Sequence, residues 1–302
     1  VIYFDFSVGN YVKAYGTAKN FFERLEKETS VKQIIYVTGN HDATINEMVR
    51  QDLGIKNTPP RDTRHAILCR IDKGVITVDG TDNPNYNIKF LSDQYTPSVP
   101  WIVCTHLVID EYYLAIHSHE LYEWGESAWA LKEILGYEEN FNIEKFYEFM
   151  HIMLSATSTA LHDSGDATKL IREFQEAFNS NRVKVYMPVV KRALNYISKR
   201  VETNWFTYIL KKQIVKYIIK QIKKASKKSA KRDDTYVDKN RLNKYSKLLG
   251  LHNPYLISGH THNLVRRVSK KQVNLGAFVK GSVGALYTID FNTKGTTYQI
   301  AQ

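Results

Sequence analysis

Ile34-Ile35-Tyr36-Val37-Thr38-Gly39-Asn40-His41-Asp42 is the stretch on which the reading of this chain turns. Four apolar residues in a row have the length and composition of a buried strand. Gly39-Asn40 then supplies a turn, because both residues tolerate positive φ. The amide, imidazole and carboxylate groups of Asn40, His41 and Asp42 therefore emerge at the carboxyl end of a strand. The same shape recurs twice: Trp101-Ile102-Val103-Cys104 runs into Thr105-His106, and Tyr255-Leu256-Ile257-Ser258 runs into Gly259-His260-Thr261-His262. His260 and His262, at i and i+2, share one side of an extended segment. Strand ends that offer His or Asn in this way suit a metal site, since loops let such donors converge on one cation.

In this order, the G-N-H-D string, the later lone histidine and the G-H-x-H string resemble the motifs of the calcineurin-like metallophosphoesterase family, over residues 1–110 and 251–302. Val273-Asn274-Leu275-Gly276-Ala277 adds a likeness to the N-x-G strand end that follows G-H-x-H in that family. The resemblance implies an α/β fold, a two-sheet metallophosphoesterase-like sandwich core with a large α-helical insertion. It also implies two divalent metal ions. Asn40, His106 and His260 would bind one and His262 the other, with His41 beside the phosphate as acid or electrostatic stabiliser. Asp42 would orient His41, fixing its tautomer and raising its basicity. Mixed nitrogen and oxygen ligands favour manganese, iron or zinc over magnesium.

The chain departs from the family at its start. No Asp is followed two residues later by His, so the D-x-H motif is not present. Val1-Ile2-Tyr3-Phe4 reads as a strand already inside a fold, with a further strand expected before it. Asp5, at the end of that strand, is either the bridging carboxylate, with Phe4 where the family has Gly, or the last Asp of a G-D-x-x-D motif. These residues account more fully for one cation than for two.

The activity implied is that of a metal-dependent phosphoesterase, foremost a phosphomonoesterase acting by a metal-activated hydroxide on a phosphoprotein or small phosphate ester. The same family holds phosphodiesterases and pyrophosphatases of nucleotide, nucleic-acid or lipid-linked substrates. A non-catalytic binding module on the same fold would follow from the missing D-x-H half-site.

Composition is that of a globular protein, with 302 residues, 43% hydrophobic and 24% charged. No apolar run approaches the ~18 residues of a membrane span. Residues Val1 to Phe4, cut short by Asp5, do not read as a signal peptide. Cys69 and Cys104 both lie in apolar strand-like runs, which favours buried reduced thiols and a soluble protein in a reducing compartment. Alternating strands and one helix around Ala18 to Lys27 fill the first part. Strands are expected at Ala66 to Ile71, Val75 to Val78, Ile88 to Leu91 and Trp101 to Cys104.

Residues 111–250 read differently, as a helical insertion between the metal-ligand motifs, acidic at first and then strongly basic. Lys191 to Lys247 holds 18 Lys and Arg against 4 Asp and Glu, a net +14 in a chain whose total is +11. All of the positive character therefore sits in one arm. That arm reads as a solvated helical hairpin with an apolar seam, or as an amphipathic face for an anionic membrane surface. Nucleic acid ranks behind these, because lysine outnumbers arginine. A phosphoprotein substrate would meet the same charge. His117 and His119 would face one side only from an extended segment, and their surroundings read as helical, which assigns them to packing. Arg266 and Arg267 follow the G-H-x-H strand and read as a surface pair or a phosphate clamp.

Overall fold

The computed structural model describes residues 11–39, 66–78, 98–137, 141–150, 237–260, 264–276, 284–290 and 295–301, with Ile152, Gln213 and Lys216. Among these the protein is mixed α/β. In chain order the elements are α1 (Tyr11–Glu28), β1 (Ile34–Val37), β2 (Leu68–Asp72), β3 (Val75–Val78), β4 (Trp101–Cys104), β5 (His106–Ile109) and β6 (Tyr113–Ile116). A 3-10 turn (His119–Leu121) and α2 (Glu123–Leu135) come next, then α3 (Lys239–Leu248), β7 (Tyr255–Ser258), β8 (Leu264–Arg267), β9 (Gln272–Leu275), β10 (Gly284–Ile289) and β11 (Thr296–Ala301). No helix among the described residues is long and apolar enough to cross a membrane.

By internal contacts the chain divides into two units, one of residues 1–58, 64–122 and 234–302, the other of residues 59–63 and 123–233. The divisions fall at Tyr122 and Asp234, not at 110 and 251, because Tyr113–Ile116 is a strand of the first unit and Lys239–Leu248 is one of its helices.

Within the first unit, α1 forms because Phe21, Phe22 and Leu25 recur at helical spacing, while Arg24 and Glu28 pair across one turn at 2.9 Å. Its carboxyl end is closed by the Thr29 hydroxyl, which donates to the Leu25 carbonyl. Phe22 is buried edge-on against Trp101, ring centres 4.4 Å apart. Such aromatic pairs contribute about 0.5–1.5 kcal/mol beyond the area they bury. Glu26 then accepts from Trp101 Nε1 and from Ser98, tying the helix to the start of β4.

β1 and β4 form a parallel pair, and all four β4 residues are buried. At Thr105 the chain changes partner. Thr38 N still donates to the Cys104 carbonyl, but Thr105 N and His106 N donate to the Ile67 carbonyl, so β5 continues beside β2 in a different sheet. That second sheet has seven strands in the order β3-β2-β5-β6-β7-β9-β8. Left-handed Lys73 and Gly74 make the β2–β3 turn, and left-handed Asp110 and Glu111 make the β5–β6 turn, the backbone that two-residue hairpins require. β6 and β7 run parallel, as do β7 and β9. β10 and β11 pair as a separate antiparallel hairpin.

Cys69 and Cys104 are both buried, in the cluster formed with Phe22, Tyr36 and Trp101. In the second unit, α2 carries Trp129, whose ring lies 5.2 Å from Phe141 and 5.3 Å from Phe146. Lys132 Nζ stands over Phe141 at 5.1 Å, and Lys145 Nζ over Tyr137 at 5.5 Å. Among Lys191 to Lys247, only Gln213, Lys216 and the residues from 237 onward are described. The three readings of the basic arm thus fall outside the described residues, as do Val1 to Phe4 and the strand expected at Ile88 to Leu91.

Candidate metal centre

Two parallel strands ending side by side build the centre. β6 pairs with β7 in the register Ala115↔Ile257, so the residues after each strand leave the sheet together. His117 follows β6 and His260 follows β7. His260 N donates to the His117 carbonyl at 3.0 Å, and His117 Nε2 lies 3.1 Å from His260 Nδ1. Their rings cross at 78° with centres 5.0 Å apart. One neutral imidazole can donate to the other at this distance. It is also about the separation of two nitrogens that each lie roughly 2.0–2.1 Å from one shared cation.

The third strand end arrives at the same place. Gly39, just after β1, lies so close to His117 that a Cβ there would be 2.8 Å from the ring's Cγ. Glycine is required here by that close approach. The G-N-H-D segment thus departs from beside the His117 ring.

Around this pair stand further buried polar groups. His119 lies with its ring centre 5.7 Å from His117 and 6.2 Å from His260, and Tyr122 lies 5.3 Å from His260. His119 Nδ1 is 3.3 Å from Glu120 Oε2. Ser118, between the two histidines, is fully buried with φ of 80°, and its hydroxyl has no hydrogen-bond partner among the described residues. A non-glycine residue in that region costs about 1–3 kcal/mol and persists only where its surroundings impose it. On the other side of β7, the Asn274 side chain accepts from Gly276 N at 3.0 Å, and Gly276 has φ of 70°. The N-x-G string is therefore a side-chain-closed turn that ends β9 next to Ser258.

His106 goes elsewhere. It begins β5 and is fully buried, with Nδ1 2.6 Å from the Thr105 hydroxyl and Nε2 bonded to the Tyr245 hydroxyl of α3. Both nitrogens are engaged, so in this arrangement His106 offers no lone pair to a cation and does not join His260. Burial, with a smaller contribution from nearby Arg70, holds its pKa down to about 3. The structure puts His117 in the position that the family resemblance gives to His106. Sequence reasoning misses His117 because the residues after it are helix-like; the signal is Tyr113-Leu114-Ala115-Ile116, a fourth apolar tetrad followed at once by His-Ser-His.

Of the other expected site residues, Asp5, Asn40, His41, Asp42 and His262 lie outside the described residues. Arg266 and Arg267 lie on edge strand β8, with Arg267 exposed. Among the described residues, no three His, Cys, Asp or Glu side chains are close enough together to form a complete metal-holding group.

A pH dependence follows from His106. Its folded pKa lies below the ordinary 6.5, so between pH 6.5 and about 3 the unfolded chain takes up a proton that the folded chain refuses. Stability is unaffected by this residue above that range and falls as the pH drops through it, by on the order of 3 kcal/mol at about pH 4. Urea melts of wild type and His106→Gln between about pH 4 and 7 should show a flatter acid limb in the variant. Equal limbs would refute the assignment.

The described residues thus define a mixed α/β protein with a histidine pair where parallel strands end. No family model, no curated protein and no solved structure matches the chain.

Proposed function

We propose that this protein is a metal-dependent phosphoesterase, foremost a phosphomonoesterase. The observation that carries the reading is the meeting of three strand ends, Gly39 of the G-N-H-D segment, His117 and His260, with two imidazole nitrogens 3.1 Å apart. His117 and His260 are the residues that would hold a divalent cation, joined by Asn40, His262 and Asp5 from the segments outside the described residues. A bound cation of this kind draws phosphoryl oxygens and acidifies water.

The chain's own groups supply the rest. Gly39 leaves room for the His117 ring, and the backbone bond from His260 N to the His117 carbonyl fixes the two rings against each other. His41, two residues beyond Gly39, is the candidate to protonate the departing oxygen, with Asp42 holding its proton position. The chemistry of a cation held by imidazole and carboxamide suits manganese, iron or zinc.

Metal analysis of the purified chain, with turnover of para-nitrophenyl phosphate against its bis ester, tests this. Divalent-dependent hydrolysis is expected, faster on the monoester and lost in His260→Ala. Faster turnover of the bis ester would assign a phosphodiesterase. No metal uptake and no turnover of either ester would leave the binding-module reading in its place.

A further inference from the structure

We infer that His119, set by Glu120, is a third imidazole of the cation site, outside the ligand set that the motifs imply. This rests on the metal-site reading above for the existence of a cation. The arrangement starts from Ser118. Its left-handed backbone turns the chain between His117 and His119, so that both rings stand near His260, at 5.0 Å for His117 and 6.2 Å for His119. The three rings are mutually adjacent, since His117 and His119 are 5.7 Å apart. Rings that share one ion have centres roughly 5 Å apart, given nitrogen-to-ion distances of about 2.0–2.1 Å. The His117–His260 pair has that spacing. His119 stands wider by roughly 1 Å, a gap that rotation about its side-chain torsions closes. This margin is why the three imidazoles do not by themselves form a complete metal-holding group in the metal-free arrangement.

The chemistry of the neighbours agrees. His117, His119 and Glu120 are all at most 3% exposed, so the cluster is withdrawn from water. A buried carboxylate 3.3 Å from Nδ1 favours the tautomer with its proton on that nitrogen, which leaves the Nε2 lone pair to donate. Metal-binding histidines are commonly backed by a carboxylate in this way. Ser118, at the centre of the His-Ser-His string, combines a strained backbone with a buried hydroxyl that no described residue satisfies, features that packing alone would select against.

Cobalt(II) titration of the metal-free full-length chain, followed by visible absorption and by equilibrium dialysis, tests the inference without relying on activity. His119→Ala should weaken cobalt binding by at least about 10-fold and change the absorption of what still binds. Glu120→Gln should weaken it by roughly 10-fold. His260→Ala is the reference for loss of a ligand that the motifs imply. His119→Gln carries the same test if the alanine variant does not fold, as judged by near-ultraviolet circular dichroism. Wild-type cobalt affinity and spectrum in the His119 variants, with loss in His260→Ala, would overturn the third-ligand assignment and leave the metal-site reading standing. Unchanged cobalt binding in His260→Ala as well would overturn both.

Discussion

Replacing His117 by alanine is expected to abolish metal-dependent phosphoester turnover, while replacing His106 by alanine is expected to damage the fold first. His117 presents a ring nitrogen to the same point as His260, 3.1 Å away. Removing it takes away a direct donor, so the loss should exceed the roughly 100-fold that an outer partner of a ligand can cost. His117 stands just beyond the end of β6, outside the sheet's hydrogen-bonded register, so a melting temperature near wild type should accompany the loss. His106 is the reverse case. Its ring joins β5 to α3 through Tyr245, itself fully buried. His106→Ala leaves that phenol without its bond to the imidazole, which costs about 1–3 kcal/mol, and opens a cavity besides. Turnover per folded molecule should survive. Metal content, melting temperature and turnover of the two variants, measured side by side, check both halves. A His106→Ala protein that folds like wild type but holds no metal would reverse the assignment.

Gly39→Ala should be nearly as severe, for a steric reason. The added methyl would sit 2.8 Å from His117 Cγ and 2.9 Å from Cδ2. Carbon atoms ordinarily rest about 3.5–4.0 Å apart. The ring has little room to retreat, being 3% exposed and held against His260. Overpacking of this kind costs about 1–3 kcal/mol, and each kcal/mol lowers the melting temperature by roughly 2–4 °C in a chain of this size class. The displaced ring should also lose its alignment with His260, so metal affinity falls together with stability. The double variant Gly39→Ala/His117→Ala separates the two effects. Taking away the ring removes the clash, and melting should recover toward that of His117→Ala alone, a non-additivity expected of residues in contact. Strict additivity would show that Gly39 matters for some reason other than His117.

Much of the strand framework is written locally. Ile34–Val37, Val75–Val78, Trp101–Cys104 and Tyr255–Ser258 are strands with the bounds their apolar runs suggest, and Ala18 to Lys27 lies within the longer helix Tyr11–Glu28. The reason is that apolar tetrads bounded by Gly, Pro or polar residues have few ways to bury themselves except as short strands. Tyr113–Ile116 satisfies the same test, but its sequence context is the acidic, helix-like stretch in which Glu111, Glu120 and Glu123 dominate. The turn that separates it from β5 rests on Asp110 and Glu111 in left-handed backbone, and glutamate is a weak sequence signal for such a turn.

By itself the sequence determined that histidines would stand at the ends of short buried strands, since those strings are local and their chemistry is carried by neighbouring residues. Which histidine meets His260 was decided only by the tertiary structure. Cys104 and His106 belong to different sheets, because Thr105 switches the chain from β1 to β2. The strand lying parallel beside β7 is β6 and not β5. Strand order is a property of pairing between segments far apart along the chain, Tyr113 with Tyr255, and no local pattern encodes it. The same pairing sends His106 to Tyr245 and brings His117, with His119 beside it, to the end of the sheet where Gly39 makes room.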